Sequence, residues 1–195
     1  MIRLSLVILA VGLAAPLPAG AQADRVFRIV SSASVVGFEA QATGVGAFGG
    51  QTRDVRGEIA VDFSALDRGV RATVTADPAT LTTGIGLRDS DLQAVLETSR
   101  YPEIRFTVTQ IRGPKALSPG DEATVTVTGT MEIHGVRRTI EVPALVRLGA
   151  DRVEVRGGMP LRLTEYGIRP PRVLFVVRVQ DEVQVHFTLV AESPS

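Results

Sequence analysis

Chemistry in this sequence is confined to two imidazoles, one charged cluster and one glycine-rich stretch. His134 and His186 are the only histidines, and there is no cysteine. Zinc or triad chemistry needs partner groups at set spacing, and neither His has them. His186 falls on the polar face of an alternating run and reads as solvated. His134 stands before Gly135 at a turn, where it makes a structural hydrogen bond or meets the polar head of a ligand. Arg88, Asp89 and Asp91 are the densest charged group. They read as a helix cap with an ion pair. The functional alternative is that Arg88 meets an anionic head such as a phosphate through a charge-assisted hydrogen bond. A calcium loop would need more oxygen ligands than Asp89 and Asp91 supply. The run from Gly44 to Gly49 spells G-x-G-x-x-G, which cradles a pyrophosphate only at a strand-to-helix turn. Here strand alternation follows it, so a turn or rim loop is expected. No nucleophile, base and orienting group occur together. The reading is therefore a protein that is not an enzyme, with no catalytic residue, no metal and no cofactor.

Composition narrows the class further. The chain has 195 residues, 21 basic against 21 acidic side chains, 45% apolar residues and no Trp. Disordered chains are apolar-poor and highly charged, so this one folds. Scattered arginines and zero formal charge argue against nucleic acid as a partner. Without Cys there are no disulfides or thiolate metal sites. Arg3, the apolar run from Leu4 to Ala15 and then Pro16 and Pro18 resemble an export signal, with Ala19-Gly20-Ala21 or Ala21-Gln22-Ala23 as the small-x-small cleavage sequence. The first is preferred, making residues 1–21 a signal peptide and residues 22–195 one domain. The apolar run rises only about 18 Å as a helix, short of a roughly 30 Å hydrocarbon core. No transmembrane segment is expected in the mature chain, and the periplasm is its expected location.

The rest of the chain alternates with a period of two. Val55, Ile59 and Val61 oppose Arg56 and Glu58, and the same pattern marks strands over 70–76, 104–109, 124–133, 153–155 and 183–189, with two less regular ones near 26–30 and 35–42. Gly113-Pro114, Pro119-Gly120, Gly135 and Gly149 supply short turns, which join antiparallel neighbours. One helix is predicted, capped by Asp89 or Ser90, carrying Leu92, Val95 and Leu96 and ending before Pro102. The apolar run Val173–Val177 within residues 170–179 fits either a buried strand or a short helix. About eight half-buried strands bury their faces and remove their edges together by closing into a barrel. The expected fold is thus mainly all-β, an antiparallel eight-stranded barrel with one short helix.

Several stretches then resemble the YceI family: Gly57-Glu58-Ile59-Ala60-Val61-Asp62, Thr83-Gly84 with Arg88-Asp89-Ser90-Asp91-Leu92, Tyr101-Pro102-Glu103-Ile104-Arg105-Phe106, and Gly129-Thr130-Met131-Glu132-Ile133-His134-Gly135-Val136. Tyr166-Gly167-Ile168 and Asp181-Glu182-Val183 match more weakly. The resemblance runs from about Phe27 to Ala191 and implies a lipocalin-like periplasmic barrel associated with polyisoprenoid binding, without established catalytic residues. Three polar positions of the family pattern differ: after the aromatic Phe27 come Val30 and Ala33 ahead of Ser34 in place of Asp and His, and Asp91 stands where a His is often found.

Phe38, Ile59, Val74, Phe106, Val127, Ile140, Phe187 and Leu189 are expected inside the barrel as the apolar lining of a ligand site, with Arg88 and His134 at its polar mouth. Few aromatics and many Val and Ala leave room for a tunnel of at least a few hundred Å³. The expected partner is an isoprenoid or other long-chain amphiphile, its tail held without specific polar contacts. The alternative is a barrel filled by its own side chains that serves as an interaction or stress-protection module without a lipid ligand.

Overall fold

The computed structural model describes residues 25–66, 69–173 and 177–194. Its strands are β1 (Arg25–Ile29), β2 (Val35–Ala42), β3 (Gly46–Thr52), β4 (Val55–Val61), β5 (Val70–Ala76), β6 (Ile104–Arg112), β7 (Glu122–Ile133), β8 (Val136–Leu148), β9 (Arg152–Arg162), β10 (Arg172–Val173), β11 (Val177–Arg178) and β12 (Glu182–Glu192), and helix α1 (Gly86–Val95) lies between β5 and β6. Strands β1, β4, β5, β6, β7, β8, β9 and β12 follow one another as antiparallel neighbours, and β12 pairs back on β1 to close the ring. This is the eight-stranded antiparallel barrel with one helix that the alternation predicts.

The eight staves are not the eight strands predicted. β1 and β2 run end to end along β12 as one bent stave. β3 and β4 form its similarly bent neighbour. β8, in turn, goes unpredicted: Ile140, Val142, Ala144, Val146 and Leu148 alternate along it, but Pro143 on the outward face argues against a central strand. The glycine-rich run forms the β2–β3 turn and the start of β3, with no helix after it. A single 3₁₀ turn at Ser31–Ala33 makes the first bend. Ser34, fully buried beside it, restores the interrupted ladder: its Oγ accepts from the Val190 N–H at 3.0 Å and donates to the Val190 carbonyl at 3.3 Å.

Helix α1 starts earlier than its expected caps. Ile85 occupies the N-cap without a side-chain bond, and Asp89 sits inside the first turn. Its carboxylate reaches back to accept from the Thr83 N–H at 2.7 Å and from the hydroxyls of Thr83 and Thr82 at 2.6 and 2.7 Å. Within residues 170–179, β10 and β11 pair as a small antiparallel hairpin, while residues 174–176 lie outside the described residues.

Apolar side chains pack at each end of the barrel. At one end Phe63, Leu66 and Leu117 close over Phe27 and Leu148, held by the Leu66 N–H to Lys115 and Leu117 N–H to Phe63 hydrogen bonds, both 2.8 Å. At the other, Val95 and Leu96 from the helix segment cover Ile133, Leu161, Tyr166 and Ile168. Among the described residues no helix is long and apolar enough to cross a membrane.

Candidate functional site

The inward faces of the staves enclose a cavity whose walls are apolar side chains throughout. Its volume is about 170 Å³, less than the few hundred expected. Ile59, Val74, Phe106, Val127, Phe187 and Leu189 all stand in its wall, as do Val36, Met131, Met159 and Val185, which are not in the expected lining set. Val125 and Met131 both line it. Six residues of one strand are about 20 Å, or about 15 Å along the axis of a barrel tilted by about 40°.

Three phenyl rings each lie over a glycine on the next strand, and two of them, Phe187 and Phe106, stand in the cavity wall. A Cβ on Gly157 would come within 2.7 Å of the Phe187 ring, one on Gly129 within 2.5 Å of Phe106, and one on Gly50 within 2.7 Å of Phe38. The missing side chain lets each ring lean on the wall. Phe38 nevertheless lies outside the cavity. It faces inward on β2 but stands nearer the helix end, edge to face with Phe48 at 6.4 Å.

Ile140 is also absent from the cavity wall, for a different reason. β8 and β9 pair only from Ala144↔Gly157 to Leu148↔Val153. Past that point the ladder of β8 is with β7 alone and that of β9 is with β12 alone. The two prolines, Pro143 and Pro160, lie in these facing edges, where a residue that cannot donate to a ladder is tolerated. Between them is a cleft of about 280 Å³, bordered by Ile140, Pro160, Leu161 and Tyr166 and by the charged Arg162, Glu165 and Glu182. Met159 lines the cleft and the cavity alike. At the far end of the split, Arg138 Nε donates to the Glu165 carbonyl at 2.7 Å. Burial pushes the Tyr166 phenol above its ordinary range, partly offset by Arg138.

The two polar candidates are not brought together. Arg88 belongs to the first turns of α1, its guanidinium 4.9 Å above the Phe48 ring. His134 meets the far end of the helix segment: its Nε2 is 3.2 Å from Glu97 Oε1 and its ring 4.4 Å from that of Tyr101. Arg88 lies in the first turns of α1 and Glu97 just past its last residue, Val95, so the two stand at opposite ends of the helix. His134 fixes the β7–β8 turn, where its φ of +53° and that of Gly135, +75°, are those of a two-residue hairpin. Asp91 is exposed, and His186 lies exposed over Gly37.

The YceI-like domain model matches residues 27–191. The chain belongs to the YceI-like family. UPF0312 proteins of Pseudomonas savastanoi pv. phaseolicola and Pseudomonas syringae pv. tomato are each 29% identical to it over 181 residues, covering 88% of this chain and 90% of theirs. Among solved structures, Burkholderia cenocepacia BcnA superposes with a TM-score of 0.70 at 20% identity, over 83% of this chain and 98% of that one. A polyisoprenoid-binding domain from Saccharophagus degradans, implicated in plant cell wall breakdown, gives 0.67 at 20% identity over 86% and 98%. Both likenesses are of fold, and place the YceI-like barrel across nearly all of the described chain.

Proposed function

We propose that this protein is a carrier that holds a single-chain amphiphile with its aliphatic tail inside the barrel, and that the tail is a polyisoprenoid. The wholly apolar cavity carries this reading. A wall without polar side chains gives a head group nothing to bind and a hydrocarbon everything: each buried methylene gains about 0.8 kcal/mol, so about ten give some 8 kcal/mol before the costs of association. The family favours a binding role over an enzymatic one, and the Saccharophagus degradans neighbour, named for polyisoprenoid binding, supports this class of tail. The place of action we propose is the periplasm, reached by removal of residues 1–21 as a signal peptide.

Native mass spectrometry of gently purified protein, followed by organic extraction, tests the carrier. A bound prenyl lipid, or uptake of an added prenol by stripped protein, is the expected result. A barrel that is empty as isolated and refuses prenol overturns it. Amino-terminal sequencing of protein from a periplasmic fraction checks the export step, with Gln22 expected first. The filled-barrel module keeps one observation in its favour, the packing of both barrel ends.

A further inference from the structure

With side chains packed at each end of the barrel, the unpaired stretch between β8 and β9 is a second way through the wall. We infer that the tail passes sideways, through the split between β8 and β9, with the Met159 side chain as the gate. This rests on the carrier reading and adds to it the route.

Three observations converge. The ladder between β8 and β9 stops at Ala144↔Gly157, so no backbone hydrogen bonds need break for the edges to part. The window is framed: the pairing below it and the Arg138–Glu165 hydrogen bond above hold its two sides at a set separation. Finally, Met159 is common to cleft and cavity, and methionine, unbranched and with three rotatable bonds, is the apolar side chain that most easily swings aside and repacks. Past Met159 the tail rests in the apolar cavity, and the cleft outside it, bordered also by Arg162, Glu165 and Glu182, is the passage and not the resting place. Ile140, on the β8 side, belongs to the cleft and not to the cavity wall, so it can be altered without changing where the buried tail rests.

Stopped-flow uptake of cis-parinaric acid, whose fluorescence rises in an apolar site, tests the route. Ile140→Trp narrows the window and Val95→Trp adds bulk to the helix where it packs at the barrel end. A gate raises the barrier both ways, so Ile140→Trp slows association and release by at least about tenfold while the equilibrium affinity moves little. Val95→Trp leaves both rates as they were. Unaltered rates in Ile140→Trp, or slowing by Val95→Trp instead, overturn the lateral route. Should Ile140→Trp not fold, the block is added after folding: Ile140→Cys is the sole thiol in a chain without cysteine, and poly(ethylene glycol) maleimide caps it. The same slowing is then expected on capping. Failure of the unmodified protein to take up both the probe and prenol overturns the carrier itself, whereas uptake at unchanged rates overturns only the route.

Discussion

Ser34 does with one hydroxyl what a backbone pair does elsewhere in the ring. Because it is wholly buried and bonds both ways to Val190, Ser34→Ala leaves an amide without its partner and is expected to cost about 1–3 kcal/mol in denaturant unfolding. Gly157 matters through what it lacks. Gly157→Val drives a side chain into the Phe187 ring and the Pro143 carbonyl, which a Cβ would approach to 2.7 and 2.6 Å. The ring then swings into the hollow, with an expected loss of about 1–3 kcal/mol and weakened tail uptake, measured by thermal melting and prenol rebinding. Gly86 is the contrast. Its Cβ position is open and it starts α1, so Gly86→Ala should leave the melting temperature level or slightly raised. Alternation gave the in-or-out sense of Ile59, Val74, Phe106, Val127, Phe187 and Leu189. It does not give height along the barrel, which is why Phe38 faces inward yet lies beyond the cavity. Nor does it show which neighbour a strand lacks, which is what sets Ile140 apart.

Two aspartates fasten the segments at the helix end. The Asp89 carboxyl is held below the usual range by the hydrogen bonds from Thr83 and Thr82, with Arg88 adding to them. Asp181 is held low in the same way by the Thr164 hydroxyl and amide, at 2.7 and 2.8 Å. A folded-state value below the unfolded one, about 3.9 for Asp, means that the fastening is complete above that pH and fades as the pH falls through the depressed value. Hydrogen exchange should therefore show the first turn of α1 and the 163–166 turn losing protection below about pH 4 while β7 keeps its own. Simultaneous loss in β7 would mean whole-barrel acid unfolding instead. The helix itself was legible from Leu92, Val95 and Leu96, but its start was misplaced because Asp89 bonds backwards to Thr83 and not forwards as a cap. The split between β8 and β9 was not read, although Pro143 and Pro160 are its mark. A proline within an alternating run signals a strand with one unpaired edge as readily as no strand at all.

Carrier and filled barrel differ in what spare volume means. Val127 points into the cavity from the middle of β7. If the hollow exists to receive a tail, Val127→Phe fills it: prenol uptake falls sharply while stability holds or rises, since an unfilled apolar cavity is itself a cost. If the interior is already packed for its own sake, the same change overfills it and lowers stability by about 1–3 kcal/mol with no binding to lose. Thermal melting and lipid rebinding on the one variant separate the two. Bound tail should also raise the melting temperature of the unaltered protein in proportion to the logarithm of its concentration, by linkage.

The ring is sealed where Arg28 and Ile29 of β1 meet Glu192 and Ala191 of β12. A chain delivered amino end first therefore keeps its opening stave waiting until the last stave has emerged, and only then can a hydrophobic interior form at all. Loss of β12 would leave three strands, β1, β2 and β9, each short of a neighbour, so a truncated chain should remain a substrate for proteases and not a weaker version of the carrier.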